Sequence, residues 1–271
     1  VNVSGTSSVR NGIASSQRQI FKQLVCLLKE GKIHDLDDPH PRLNGVFAGS
    51  ADRYAEIAFL LQGHHKVLDV GSGSGMLISI LANLGHDCCG LDLTEPEKLP
   101  STYGRPSIEY KLCNAEVDTY PFPDETFDAV TCCQVLEHFS HSPLPALAEM
   151  KRVLKPGGVI ELDVPNVASF RNRMRLIRGK NITWDYRDHY LHAKPLFHKG
   201  HTFYPFRHNR EFTKAELAAL LAESGFVDIQ VRFMKDRNYR TGIKRFLSMG
   251  TAARNLIPSI RKSLIAFAKK R

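Results

Sequence analysis

The residues best placed to do chemistry are three glycines spaced two apart, Gly71, Gly73 and Gly75, with Ser72 and Ser74 between them. They follow the apolar run Val67-Leu68-Asp69-Val70 and precede an apolar helical pattern from Met76 to Leu84. That order reads as strand, tight turn, helix. Glycine has no Cβ, so the turn can take unusual backbone angles and a ligand can lie against bare backbone. The helix start behind the turn offers unpaired N–H groups to a polar or anionic group. A dinucleotide site takes G-x-G-x-x-G. Here the third glycine comes one residue early, and Met76 stands where theirs would be. Asp69 is a second departure, since a carboxylate just before the loop can accept hydrogen bonds from it or face a cationic ligand.

Both departures favour S-adenosylmethionine (SAM), whose sulfonium and ammonium groups are positive. Further segments extend the pattern. Cys88-Cys89-Gly90-Leu91-Asp92-Leu93 reads as a strand ending in an acid about twenty residues beyond the glycine loop, the spacing of a carboxylate that takes ribose hydroxyls. Cys113-Asn114-Ala115-Glu116, Phe122 to Val130, Gln134-Val135-Leu136-Glu137-His138 and Leu154-Lys155-Pro156-Gly157-Gly158 follow in order. On these motifs residues 66–165 resemble the class I SAM-dependent methyltransferases, with a weaker likeness over 211–233. The likeness is to members of surface-glycan and secondary-metabolite pathways. It implies a Rossmann-like, doubly wound α/β fold with a mostly parallel sheet, helices on both faces and an irregular basic lid. It assigns Asp69, Gly71, Ser72, Gly73 and Gly75 to the cofactor, and Asp92, with Leu93 beside it, to the ribose. Asn114 and Ala115 fall to the adenine and Gln134 to the methionine part, with S-adenosylhomocysteine as product. Where Asn114 stands the family usually has Asp; Asn is expected to accept from the adenine amino group instead.

Methyl transfer from a sulfonium needs positioning and desolvation, and a hydroxyl acceptor also needs a base. His138, at the carboxyl end of the fourth strand, is the candidate. A structural role for this histidine stays open beside the catalytic one. Glu137 is read as holding the loop. A second cluster lies in 166–210, where Tyr190, His201, Arg207, His208 and Arg210 are candidates for acceptor recognition, because guanidinium forks suit phosphate or carboxylate. The segment His208 to Thr213 is equally readable as an anchor for the following helix. No metal is expected: His189/His192 and His198/His201 have a ligand-like spacing, but no Asp, Glu or Cys set accompanies them.

These residues need a scaffold, and the pattern supplies one. Helical periodicity covers 17–28 and 53–62. Strands are expected at 66–70, 87–92, 108–112, 127–133 and 157–163, with helices at 74–84 and 143–154. Such alternation implies a parallel sheet covered by helices. Residues 166–210 are long and irregular, as functional lids are. Thr213-Lys214-Ala215-Glu216 is a capping box opening a helix to Ser224, ended by Gly225. A strand follows over 227–233, and 240–261 reads as a basic helix. Segment 263–269 fits a strand, the antiparallel partner the family requires, almost as well as a helix. The organisation is thus an amino-terminal tail and helical segment, 1–45, and a methyltransferase domain, 46–271, with a lid at 166–210 and a basic segment at 236–271.

The 271 residues suffice for one full α/β core. No apolar run approaches the roughly 20 residues of a membrane span. Val1 to Gln19 lacks the apolar stretch of a signal peptide, and its Ser/Gly/Asn content suggests a flexible tail with a processed or trimmed start. Six cysteines without a C-x-x-C read as small buried hydrophobes in a reducing cytoplasm. Charge is segregated. Residues 166–210 hold +8 and 231–271 hold +11, which leaves −10 on the rest of a chain whose formal net charge is +9. That asymmetry fits an anionic partner. Lys244, Arg245, Arg254, Arg261 and Lys262, amid apolar residues, suit an anionic membrane surface, at the inner face of the membrane for a cytoplasmic protein, and equally an ordinary amphipathic helix packed on the core. The expected acceptor is a hydroxyl of a sugar, glycolipid or related small molecule. A tRNA or rRNA methyltransferase, a SAM-binding protein without transferase activity and a nicotinamide oxidoreductase are the competing readings.

Overall fold

The computed structural model describes residues 19–20, 22–24, 26–27, 46–73, 75–93, 108–183, 185–235 and 255–271. The expected tail, Val1 to Gln19, lies outside them apart from Gln19, as do residues 240–254 of the expected basic helix at 240–261 and Ser74 of the glycine loop. The chain divides into two compact units, 1–112 and 113–271.

The first unit contains α1 (Val46–Leu60), β1 (Lys66–Val70), α2 (Met76–Asn83), β2 (Asp87–Asp92) and β3 (Ile108–Leu112). Residues 19–20, 22–24 and 26–27 are helical, with Ile20 and Leu24 buried, as the periodicity there implies. In α1 the buried positions Ala51, Tyr54, Ala55, Ile57 and Ala58 each lie three or four residues from another, as on one buried helix face. The helix starts seven residues before the expected Arg53, because the period is only legible from Ala51 onward. In α2, Met76 through Leu81 are all buried, so this helix has no solvent face and is held by packing on every side. β1 pairs parallel with β2, Lys66 against Asp87 through Val70 against Leu91. β2 pairs parallel with β3, Cys88 against Ile108 through Asp92 against Leu112.

The second unit contains β4 (Phe127–Cys133), α3 (Leu144–Val153), β5 (Leu154–Pro165), α4 (Phe170–Ile177), β6 (Leu196–His198), β7 (His201–Phe203), α5 (Lys214–Glu223), β8 (Phe226–Phe233) and β9 (Ser263–Lys270). β5 starts three residues earlier than expected. Leu154 pairs with Phe127, the ladder breaks across the Pro-Gly-Gly run, and pairing resumes at Val159 with Ala129. The capping box forms: Thr213 accepts from the Glu216 N–H while Glu216 accepts from the Thr213 N–H. Segment 263–270 is a strand, antiparallel to β5 and to β8. Leu264, Ile265, Ala266 and Ala268 are buried, so apolar residues point to both faces, as in a strand covered on both sides. Arg261 is not a solvent-facing cation of a membrane surface, as the sequence suggested. It is buried, and its guanidinium donates to the carbonyls of Phe233 at 3.0 Å and Asn255 at 2.6 Å.

In the first unit the strands lie in the order β3-β2-β1, all parallel, and in the second in the order β4-β5-β9-β8, with β9 antiparallel to both its neighbours, a mostly parallel, Rossmann-like arrangement; β6 and β7 form a separate two-stranded hairpin. The 166–210 stretch is therefore more regular than the sequence implies. It contains α4, a π-helical turn at Arg187–Leu191 and that hairpin. Among the described residues no helix is long and apolar enough to cross a membrane.

Candidate functional site

In the first unit β1 delivers the buried carboxylate of Asp69 to the glycine loop. Gly71, Gly73 and Gly75 all have positive φ, at 72°, 49° and 79°, a region that L side chains rarely adopt. The loop is tied to the end of β2. The N–H groups of Gly71 and Ser72 both donate to the Leu91 carbonyl, at 2.8 and 3.1 Å. Gly73 N–H donates to Asp92 Oδ2 at 2.8 Å, and Leu93 N–H donates to Asp92 Oδ1 at 2.7 Å. One carboxylate thus fixes the loop against the strand end and brings Gly71, Ser72, Gly73, Gly75, Asp92 and Leu93 together, with Asp69 buried two residues before the loop. Gly90 was quoted there but given no role. A Cβ on it would lie 2.7 Å from Ser72 Oγ and 3.1 Å from Ile78 Cδ1, so the loop rests on bare backbone.

In the second unit Asn114 is buried and forms a local turn. Its Oδ1 accepts from the Glu116 N–H at 3.0 Å, and its backbone N–H donates to Asp118 Oδ2 at 2.8 Å. Asn114 Nδ2 is buried with no hydrogen-bond partner among the described residues. The side chain therefore presents a donor where the sequence implied an acceptor. Ala115 is buried beside it, its carbonyl accepting from the Tyr120 hydroxyl at 3.2 Å. Gln134 leaves β4 at φ 58°. Its N–H donates to the Asp163 carbonyl at 2.9 Å, and its side-chain amide donates to the Asp163 carboxylate. A non-glycine residue in this region is worth noticing where a strand ends at a ligand site.

His138 follows in a 3-10 turn, Leu136–His138. Its Nδ1 lies 3.0 Å from the Arg207 carbonyl. A carbonyl only accepts, so the Arg207 contact calls for the tautomer with the proton on Nδ1 and the lone pair on Nε2; the Pro205 carbonyl is a second backbone acceptor beside the ring. Burial, and then the neighbouring His208, hold His138 below the ordinary imidazole value. The two rings meet edge to face at 4.9 Å between centroids.

Most of the basic-insert candidates gather around this turn. Asn209 and Arg210 donate their N–H groups to the Glu137 carbonyl at 2.7 and 3.2 Å, and Asn209 Nδ2 donates to the His138 carbonyl at 2.7 Å. The Tyr190 hydroxyl donates to the His208 carbonyl at 2.6 Å. The Arg207 guanidinium lies over the rings of Tyr204, at 4.0 Å, and Tyr190, at 4.9 Å. His201 is exposed and sits against His141, ring centroids 5.3 Å apart. Arg210 turns away to Glu216 of the capping box, at 2.6 Å, which gives it the anchoring role left open by the sequence. Two of the histidines with that spacing have other partners. His198 binds Asp118, at 2.9 and 3.0 Å, and His189 faces the Phe206 carbonyl at 3.0 Å. Asp118 is the residue the sequence did not flag; its only signal was a carboxylate four residues beyond Asn114.

Comparison with known proteins agrees with this architecture. Residues 68–162 match a family model described as a methyltransferase domain. The chain is 39% identical over 97 residues to the "Ubiquinone biosynthesis O-methyltransferase" of Thiobacillus denitrificans, covering 34% of this chain and 41% of that one. It is 30% identical over 139 residues to the "Ubiquinone/menaquinone biosynthesis C-methyltransferase UbiE" of Cupriavidus necator, covering 48% and 57%. The chain thus spans about half the length of these relatives. Among solved structures, a SAM-dependent methyltransferase from Mesorhizobium loti aligns with a TM-score of 0.53 at 16% identity, covering 84% of this chain and 100% of that one. The 1,6-didemethyltoxoflavin-N1-methyltransferase of Burkholderia thailandensis, solved with S-adenosylhomocysteine, aligns at 0.51 and 19%, covering 92% and 86%. At these identities the structures speak for the fold. Residues 68–162 thus match a methyltransferase domain, and the strand order and the glycine loop held on Asp92 are those of the class I SAM-dependent methyltransferase fold.

Proposed function

We propose that this chain transfers the methyl group of SAM to a hydroxyl of a small-molecule acceptor. The observation that carries the reading is the glycine loop whose backbone N–H is fixed by the Asp92 carboxylate. Two features fit a nucleoside-bearing cofactor: a loop seated so closely on Gly90 that a Cβ would fill the space, and the buried amide donor of Asn114. Each unit is assigned its own contacts. Asp69, Gly71, Ser72, Gly73, Gly75, Asp92 and Leu93 belong to the first, and Asn114, Ala115 and Gln134 to the second. Asn114 Nδ2 suits a ring nitrogen of adenine, since it can only donate.

SAM, when bound, supplies an activated methyl group on a sulfonium. The chain's own task is then to orient the acceptor and to accept its proton. His138 is assigned that task through Nε2, with Nδ1–H held on the Arg207 carbonyl so that the lone pair is fixed in direction. Tyr190, Arg207 and His208 shape the surroundings of that ring, and His201 and Arg210 stand at the periphery of the same insert. Sugar and glycolipid hydroxyls are the first acceptors to test, because the insert is strongly basic. Phenolic acceptors of the quinone-biosynthesis kind are the second reading, favoured by the 39% identical relative.

Calorimetric titration with SAM, S-adenosylhomocysteine and NAD tests the first step. Binding of both sulfur ligands and not of NAD is expected; NAD binding that excess SAM does not displace would restore the oxidoreductase reading. For the second step, His138→Gln should lower kcat by about 10²–10⁴ with SAM affinity unchanged. Full turnover in that variant would remove His138 from the chemistry. RNA affinity falling steeply with salt would favour the nucleic-acid alternative.

A further inference from the structure

Glu137, His138 and His208 each place one ligand atom, a carboxylate oxygen or an imidazole nitrogen, within 4.8 Å of the others. The three come from two places far apart in sequence, the 3-10 turn after β4 and the end of the basic insert. Asn209 and Arg210 hold them together through the Glu137 carbonyl. Both imidazoles are oriented from behind. His138 Nδ1 faces the Arg207 carbonyl at 3.0 Å, and His208 Nδ1 faces Glu211 Oε1 at 3.2 Å. Glu211 is itself fixed by Asn172, whose Nδ2 donates to Oε2 at 2.6 Å. Oxygen acceptors on both Nδ1 atoms put the ring protons there and direct the Nε2 lone pairs elsewhere. This is the outer-sphere arrangement that sets the tautomer of metal-ligating histidines.

We propose that Glu137, His138 and His208 bind a divalent first-row transition metal ion through one carboxylate oxygen and two imidazole nitrogens. Two histidines and one carboxylate leave further coordination positions open, and the donor set suits zinc or manganese better than calcium or magnesium alone. The site stands on its own geometry. Its use toward an acceptor hydroxyl rests on the function proposed above. In that role the ion and the acceptor's proton compete for the same His138 Nε2, so an ion-loaded enzyme would activate the hydroxyl by the metal rather than by the ring.

The test is metal binding by the full chain, stripped with a chelator and titrated calorimetrically with zinc and then with manganese. One equivalent is expected in the unmodified protein. Glu137→Gln and His208→Asn should each weaken binding at least tenfold, and Glu211→Gln, which releases the orienting carboxylate, by about tenfold. His192→Ala, outside the cluster, should change nothing. Thermal melts establish that each variant is folded; should Glu137→Gln not fold, His208→Asn and Glu211→Gln carry the test. X-ray absorption at the zinc edge should show two imidazoles. The absence of stoichiometric binding would overturn the proposal, as would binding unaltered in folded His208→Asn and Glu211→Gln, or lost in His192→Ala. SAM titration separates the two ideas: zinc binding without SAM binding strikes the methyl-transfer reading alone, and SAM binding without zinc binding strikes this one alone.

Discussion

At the scale of single residues, Gly90 constrains the glycine loop as firmly as the loop's own glycines do. A methyl group there would press on Ser72 Oγ at 2.7 Å and on Ile78 Cδ1 at 3.1 Å. Gly90→Ala should therefore destabilise the protein by about 1–3 kcal/mol, the usual range for overpacking. Urea unfolding of Gly90→Ala, Ser72→Ala and the double variant measures it. Removing Oγ takes away the closest approach, so the double variant should recover part of the loss, and strict additivity would show that the clash lies elsewhere. Gly90 sits in a quoted sequence segment, but nothing in a strand pattern says what will pass over a particular position. Asn114 is a similar case. Its departure from the family's usual Asp is visible in the sequence, whereas the turn that consumes Oδ1 and leaves Nδ2 as the outward group is a matter of backbone geometry.

Among the elements, the β6–β7 hairpin has the most specific local cause. His198 pairs with His201, so the connection has two residues, Lys199 and Gly200, with φ of 47° and 79°. Two positive φ values make the turn whose twist matches paired strands. The tip then reaches Asp118, which accepts from His198 Nε2 at 2.9 Å and from Lys199 Nζ at 2.6 Å as well as from the Asn114 N–H at 2.8 Å. The insert is thereby pinned to the turn that carries Asn114. Burial alone would raise the Asp118 carboxyl, but the bonds from Lys199, His198 and Asn114 prevail and hold it below the ordinary value. A carboxyl depressed in the folded state contributes stability above its unfolded value, about 3.9, and loses it as the pH falls through the depressed one. Hydrogen exchange over 196–203 should thus stay slow at neutral pH and accelerate only under strongly acidic conditions. Asp118→Asn should make it fast at every pH, and slow exchange in that variant would mean that the strands hold without the pin.

On the scale of the whole molecule, cofactor binding, on the function proposed above, is coupled to unfolding. A ligand that binds only the native state stabilises it by about 2.7 kcal/mol at a hundred times its Kd. Chemical unfolding with saturating S-adenosylhomocysteine should then move as one transition. A shift confined to one of two separable transitions would show that only one unit holds the ligand. The charge pattern belongs to this scale too. Part of the basic excess is spent inside the structure, Arg261 on the carbonyls of Phe233 and Asn255, and Arg152 on Glu149 and Asp124 at 2.8 and 2.7 Å. Counting surface charge from the sequence overstates what an anionic partner would meet.

By itself the sequence determined the parallel core, the glycine loop, Asp92 and the capping box, and all for a local reason. Strand alternation, the absence of Cβ atoms and a Thr-x-x-Glu spacing act over a few residues, so a linear pattern encodes them. Tertiary structure alone decided the rest. Segment 263–270 has a pattern compatible with helix or strand, and the vacant edge of β5 chose the strand, since a backbone already offering ladder hydrogen bonds outweighs weak local preference. His208 is separated from Glu137 and His138 by some seventy residues of chain, and only the docking of the basic insert on the turn after β4 brings their ligand atoms within 4.8 Å. No spacing rule reaches across that distance, because the contact is made by folding and not by neighbourhood in the chain.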